Sequence, residues 1–359
     1  MRLGSIATLA IVGSLVLSSC AANEDAPAGG DDTTSTLSGT IDGSGASSQG
    51  SAQEAWIAAF QTANTGVTIT YDPAGSGAGR EAFIAGGVSF AGTDSSLKDE
   101  EIAGGFAGCA TDAYIEVPVY ISPIAVIFNV EGVDELNLDA ATLAGIFKGT
   151  ITTWNDPAIV ALNKDAKLPS ASITAVHRSD DSGTTKNFAD YLNKVAPEVW
   201  DAAPADPFPY TTGEGAQGTS GVVEAVTSGT NTIGYADASK AGDLGVAKIK
   251  VGDEFVGYTA EAAAAVVAES PFIEGRGDTD LAIALDRKTT DPTHYPLVLV
   301  SYIIACGEYE DADTAAVVKG YISYLASEEG QKEAASSAGA APLSADLSAK
   351  VATAIATIK

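Results

Sequence analysis

At 359 residues and 45% hydrophobic content, the chain is long enough for two domains and rich enough in apolar residues for packed cores. Its formal net charge of -28 excludes nucleic acid and anionic membrane surfaces as partners held by charge alone. Salt screens that repulsive field over about 8–10 Å, so a site for an anion has to be a local concentration of donors.

At the N-terminus, Met1-Arg2 precedes an apolar run from Ile6 to Leu17 that reaches Leu17-Ser18-Ser19-Cys20. Residues 1–20 read as a secretion signal whose end resembles a bacterial lipobox, making Cys20 the lipid-modified first residue of the mature protein. The run is shorter than the ~20 residues that span a bilayer, which argues against a permanent transmembrane helix. Residues 21–36 carry Ala, Gly, Asp, Thr and Ser without an apolar period and read as a flexible tether, so folding is expected to start near Leu37. The remaining cysteines, Cys109 and Cys306, point to a disulfide in an exported chain; the alternative is two buried thiols.

Leu37 to Ile41 reads as a short strand, followed by the glycine and hydroxyl turn Asp42-Gly43-Ser44-Gly45-Ala46-Ser47-Ser48-Gln49 and an Ala-rich helix through Trp56 and Phe60. Val67 to Tyr71 alternates as a strand and leads into a second such turn, Pro73 to Arg80, and a helix through Phe83 and Ile84. Glycines in such turns let backbone N–H groups approach a ligand closely. Ser89 to Asp94 is a short strand with a carboxylate at its tip, and Lys98-Asp99-Glu100-Glu101 a solvated helix start. Tyr114 to Ile127 is strand-like but interrupted by Pro118 and Pro123, which suits a crossover between domains better than a central strand. Leu143, Ile146 and Phe147 mark a helix, and Trp154-Asn155-Asp156-Pro157 turns into the next.

The stretch from Val176 to Thr185 reads as strand, tight turn and helix start, with Phe188, Tyr191, Leu192 and Val195 at helical spacing behind it. Free N–H groups and the positive end of a helix dipole meet the hydroxyls of Ser182 and Thr184 and the guanidinium of Arg178, which is half of an anion site. Gly213 to Gly218 matches a dinucleotide glycine pattern formally, but Pro207 and Pro209 stand where its buried strand should be. Gly218 to Gly221 is instead a helix start, Ile233-Gly234-Tyr235 a core strand, and Pro296 to Ala305 a strand returning to the first domain. Thr314 to Lys359 is mainly helical, with Tyr321, Tyr324 and Leu325 as its packing face. Strands and helices alternate throughout, the mark of an α/β protein.

With these turns in place the chain resembles the phosphate-binding protein of the bacterial phosphate ABC transporter, in its lipoprotein form. The carriers are Gly43-Ser44-Gly45-Ala46-Ser47, Gly75-Ser76-Gly77-Ala78-Gly79, Phe90-Ala91-Gly92-Thr93-Asp94, Ile146-Phe147-Lys148-Gly149 with Trp154-Asn155-Asp156, Arg178 to Thr184, and Ile233-Gly234-Tyr235. The resemblance implies a two-lobed periplasmic-binding-protein fold of type II, with two crossover strands and the ligand in the cleft. Lobe 1 would be 37–118 plus 297–359 and lobe 2 would be 119–296. It implies Ser47, Ser48, Ser76, Gly77 and Asp94 as phosphate contacts from one lobe, and Arg178, Ser182, Gly183 and Thr184 from the other, with Asp180 orienting Arg178. Ser47-Ser48 stands where the family often has Thr-Phe, and Ser76-Gly77 where it often has two serines.

Asp94 carries the chemistry of this reading. A carboxylate facing a fully deprotonated anion sets two acceptors against each other, whereas phosphate keeps a proton that Asp94 can accept and sulfate does not. The implied partners are phosphate and the permease and ATPase subunits of an ABC transporter, for a lipid-anchored monomer on the extracytoplasmic membrane face with no cofactor, metal or catalytic role. Competing readings are a receptor for sulfate or molybdate, a phosphate-ester hydrolase and a surface adhesin. A hydrolase lacks its signals here: there is no G-x-S-x-G elbow, and His177 and His294 stand alone.

Overall fold

The structure, a computed structural model, describes residues 37–359; Cys20, the expected signal and the expected tether lie outside the described residues. The first third of the chain alternates: β1 (Ser38–Gly45), α1 (Gly50–Ala63), β2 (Gly66–Asp72), α2 (Ser76–Ile84), β3 (Phe90–Thr93) and α3 (Asp99–Ala103). The long strand β4 (Tyr114–Asn129) follows. Then come β5 (Asn137–Leu138), α4 (Ala140–Lys148), α5 (Pro157–Leu162), β6 (Thr174–Arg178), α6 (Gly183–Val195), β7 (Glu214–Ala216), α7 (Gly218–Ser228) and β8 (Thr232–Asp237). Short strands β9 (Gly245–Val246), β10 (Lys248–Val251) and β11 (Glu254–Val256) lead to α8 (Ala260–Glu269). Last are β12 (Val298–Cys306) and helices α9 (Ala312–Ala326), α10 (Glu328–Ala338) and α11 (Ala345–Ala356).

Among the described residues the main sheet runs β2-β1-β3-β12-β4-β8-β6-β7, with β9 beside β4. Its two halves are the sheets of two lobes, and β4 belongs to both. Tyr114 to Pro123 pair antiparallel with β12, and Ile124 to Asn129 with β8. The two prolines therefore lie within one continuous crossover strand. Neither can donate to a ladder, and the register shifts opposite Pro118, between Ser301 and Tyr302. β4 and β12 are covered on both faces, hence their near-continuous apolar sequence. Arg276, Asp280 and Ile283 reach back to the other half, bonding to Leu97, Tyr114 and the Tyr302 hydroxyl.

β1 is longer than its apolar pattern indicates. Asp42 to Gly45, expected as a ligand-cradling turn, continue the strand and pair with β2, β3 or both. A Cβ on Gly45 would meet the Gly92 carbonyl oxygen at 1.9 Å, and φ there is +143°. That glycine serves strand contact, and the turn is confined to Ala46 and the 3-10 segment Ser47–Gln49. Glu101 also departs from the solvated reading: it accepts from the Lys98 N–H and pairs with the buried Arg80. On α6, Phe188, Tyr191 and Leu192 are buried but Val195 is 39% exposed, because the helix ends there.

Cys109 and Cys306 are bridged, with Cα atoms 5.4 Å apart and 197 residues between them in sequence. Closing so long a loop restricts the unfolded chain by about 5 kcal/mol in the chain-entropy model. The bond ties the segment after α3 to the end of β12.

Where β4 changes partner, the Tyr120 hydroxyl donates to Asp237 Oδ1 at 3.0 Å, as does the Ser239 N–H. Asp237 is fully buried, and among the described residues its Oδ2 has no partner. Burial pushes this carboxyl up to about 6, against the bonds from the Ser239 N–H and the Tyr120 hydroxyl. A raised folded-state pKa means the stability contribution is complete below the unfolded value near 3.8 and lost as pH rises through about 6. Asp237→Asn is therefore expected to gain about 1–3 kcal/mol on its parent between pH 4 and pH 8. Thermal melts at both pH values check this; a difference independent of pH would contradict it.

Candidate functional site

The strands of each half run parallel around the site: β1 with β2 and β3, and β6 with β7 and β8. Their carboxyl ends, where an open α/β sheet presents its loops, face one cleft. Ser47 and Ser48 follow β1, Ser76 opens α2, Asp94 follows β3, and Arg178 closes β6. Ser182 caps α6, its hydroxyl accepting from Thr185 N–H at 3.2 Å, and Gly183 and Thr184 form the first turn.

Asp94 is 4% exposed and gathers hydroxyls from three segments. Its Oδ1 accepts from Ser48 and Ser301, each at 2.6 Å, and its Oδ2 from Thr184 at 2.9 Å. Its own N–H donates to Ser76 Oγ at 3.1 Å. Burial raises this carboxyl above its ordinary value, opposed by the bonds from Ser301, Ser48 and Thr184 and by the charge of Arg178. A buried, hydroxyl-bonded carboxylate is thus set to accept one more proton from a ligand.

Arg178 is 3% exposed, and its Nε donates to Asp180 Oδ1 at 2.7 Å while Nη2 donates to Oδ2. Among the described residues no protein acceptor meets Nη1. Asp180 also accepts from Gly218 N–H at 2.9 Å. Burial alone would raise the Asp180 carboxyl, but Arg178 and the Gly218 N–H bring it below its ordinary value. Asp180 thereby fixes the guanidinium plane and offsets much of its charge, leaving hydroxyls and helix-start N–H groups to complete an anion site.

All the residues expected at the site come together in or beside this cleft. Gly183 explains how the halves approach: a Cβ there would lie 2.7 Å from Asp94 Cβ and from Ser76 Oγ. Ser47 and Gly77 are engaged across the cleft. Ser47 Oγ lies 3.0 Å from Thr219 Oγ1 and accepts from Thr219 N–H, and Gly77 N–H donates to the Asp181 carbonyl at 3.0 Å. Asn187 Nδ2 donates to the Asp94 carbonyl at 2.7 Å. The two halves are therefore closed on each other.

Sequence reading missed Ser301, Gln49, Asn187 and the pair Arg80–Asp206. Ser301 sits within the apolar run of β12, and a lone hydroxyl in a strand buried on both faces was its one signal. Gln49 Nε2 donates to Ser301 Oγ at 2.7 Å and so holds the hydroxyl that serves Asp94. Arg80 bonds to Asp206 across 126 residues, for which no local pattern exists. His177 stacks on Phe208 with centroids 3.9 Å apart, and His294 Nδ1 lies 2.9 Å from the Thr289 hydroxyl, so neither histidine bonds to a site hydroxyl. Among the described residues no group of three or more His, Cys, Asp or Glu is placed to hold a metal ion.

A family profile described as the PBP superfamily domain matches residues 30–329. Phosphate-binding protein PstS 3 of Mycobacterium tuberculosis is 36% identical over 335 residues, 89% of this chain and 90% of that protein. Phosphate-binding protein PstS 2 of the same species is 33% identical over 365 residues, 99% of this chain and 98% of that protein. Among solved structures, a high-affinity periplasmic phosphate-binding protein bound with phosphate shares the fold, with a TM-score of 0.69 at 22% identity, covering 88% of this chain and 93% of that one. The chain belongs to the PBP superfamily and, within it, to the phosphate-binding proteins of the PstS kind.

Proposed function

We propose that this chain binds inorganic phosphate outside the cytoplasm and delivers it to the permease of an ABC transporter, acting by binding and lobe closure rather than by turnover. The observation that carries the reading is Asp94, a buried carboxylate held by Ser48, Ser301 and Thr184 in the cleft that Arg178 also lines. Phosphate brings a proton for that carboxylate, and sulfate brings none. Ser47, Ser48, Ser76, Arg178, Ser182, Gly183 and Thr184 are the donors in this reading, with Asp180 orienting Arg178. Gly77 belongs to the same reading by its place at the start of α2, and in this closed form its N–H donates to the Asp181 carbonyl.

Lobe 1 in this proposal is 37–118 plus 297–359 and lobe 2 is 119–296; the change of β4 from β12 to β8 at Pro123-Ile124 supports a crossover within five residues of the first boundary. Membrane attachment through a lipid on Cys20, and action as a monomer, complete the proposal; Leu17-Ser18-Ser19-Cys20 supports the anchor. The test is a calorimetric titration of ligand-stripped protein with phosphate in a large excess of sulfate. Tight one-to-one binding that Arg178→Ala weakens by at least about 100-fold is the expected result, since that change removes the site's full positive charge and leaves Asp180 unpaired. No heat from correctly folded protein would overturn the reading.

A further inference from the structure

Two cavities beside the candidate site share Lys194 and Arg287 in their walls. The inner one, about 200 Å³, reaches Asp94, Ser95 and Lys186. The outer one, about 640 Å³, is bordered by Lys250, Lys288 and Asp139. The chain holds 19 basic against 47 acidic residues, yet five cations line this pair of cavities against three carboxylates, Asp94, Asp139 and Asp190.

The cations are not equivalent. Arg287 Nε bonds to Asp190 at 3.0 Å, Nη2 to Asn187, and Nη1 to the carbonyls of Pro296 and Val298. Lys194 lies 3.1 Å from the same Asp190. Lys186, in the second turn of α6, has no carboxylate within 4.0 Å among the described residues. Burial holds its ammonium below the ordinary value, partly opposed by Asp206. A half-buried ammonium with no carboxylate in contact is unfavourable, and an anion in the cavity would relieve it.

We propose that this cation-lined passage is the approach route of the oxyanion to Asp94 and Arg178, with Lys186 as its capture point before the lobes close. The proposal rests on the phosphate-binding reading. Beyond a screening length of about 8–10 Å the acidic surface is felt weakly, so the last part of the approach is governed by local charge. A low-dielectric cleft whose lining carries a net excess of one sign of charge, as here of positive charge, concentrates the opposite ion and raises its on-rate. Lys186 attracts the anion over a distance both at entry and in the bound state and makes no anion-specific contact, so its loss should slow association, weaken equilibrium binding by the same factor, and leave dissociation and the choice between phosphate and sulfate unchanged.

Rapid-mixing kinetics of the purified full chain with phosphate, at low and high ionic strength, test this. Lys186→Gln is expected to associate about threefold more slowly at low salt, with the gap closing at high salt and the dissociation rate unchanged. Lys186→Arg should behave as the parent. Lys288→Glu, an exposed change on the outer cavity that leaves the core untouched, should also slow association at low salt. Parent-like on-rates in Lys186→Gln and Lys288→Glu at low salt would overturn the route, as would a loss carried by faster dissociation at every salt concentration. A parent protein that binds no phosphate at equilibrium would overturn the underlying reading, and that is seen before any variant is made.

Discussion

Asp94→Asn is expected to weaken phosphate binding and strengthen sulfate binding, so that the ratio of the two affinities falls by about 10- to 100-fold, as the 1–3 kcal/mol attached to one unsatisfied buried polar group implies. The parent carboxylate already takes hydroxyl bonds from Ser48, Ser301 and Thr184 and has acceptor capacity left but no proton to give. Phosphate supplies that proton, whereas a sulfate oxygen faces the carboxylate with nothing between them. Asparagine keeps an oxygen for Ser48 and Ser301 and turns an N–H₂ toward the ligand, which sulfate can accept and a phosphate hydroxyl uses less well. Acidity should imitate the substitution. Burial raises the Asp94 carboxyl, so it takes up a proton at higher pH than an ordinary aspartate. The parent's sulfate affinity should thus rise as pH falls, while that of the asparagine variant stays flat. Competition calorimetry with both anions at pH 5 and pH 8 measures this. A variant that discriminates as well as its parent at both pH values would remove Asp94 from the account of specificity.

How far the sequence foretold this site depends on the kind of interaction. Arg178, Ser182, Gly183 and Thr184 lie within one short turn, so strand alternation before it and helical spacing after it place them together before any tertiary contact is known. The glycine and hydroxyl turns before α1 and α2 were visible for the same reason, although Gly45 proved to serve strand packing and not a ligand loop. The crossover role of β4 was readable from Pro118 and Pro123, because a missing N–H limits where a strand can pair. Contacts between distant segments were not readable. Ser301 looks like a minor interruption of an apolar strand until β12 is seen beside β3 and Asp94. Asp206 lies in a proline-rich connection with no periodicity, and its importance comes from Arg80 on the opposite lobe.

Asp206→Ala is expected to weaken phosphate binding by about 10- to 100-fold without changing the preference for phosphate over sulfate. Arg80 is 1% exposed and Asp206 4%. Arg80 Nη2 donates to Asp206 Oδ2 at 2.7 Å, Ser95 donates to Oδ1 at 2.6 Å, and the Asp206 carbonyl accepts from Ser182 N–H at 3.0 Å. On the Arg80 side, Thr93, Ser95 and Glu101 hold the guanidinium within lobe 1. Asp206 therefore closes a network that is otherwise complete on the far side of the cleft. Burial would raise its carboxyl, but Arg80 and Ser95 bring it below its ordinary value, so it is ionised when the lobes are together. Removing one partner of a buried ion pair is costly, typically about 3–5 kcal/mol, because the other charge stays desolvated. Here part of that cost is avoided: Glu101 remains, and opening the cleft hydrates Arg80 without unfolding either lobe. The substitution should thus favour the open form. Since a ligand that needs the closed form binds in proportion to its population, phosphate affinity falls while the contacts that choose phosphate are untouched. Small-angle scattering should report a larger radius for the ligand-free variant than for the parent, and kinetics should place most of the loss in faster dissociation. Asp206→Asn, which can keep the bond from Ser95 but loses the charge, should fall between the two. If Asp206→Ala matches its parent in both radius and dissociation rate, the Arg80–Asp206 pair accompanies closure without stabilising it, and the remaining contacts across the cleft, those of Asp94, Ser47 and Gly77 among them, hold the lobes together.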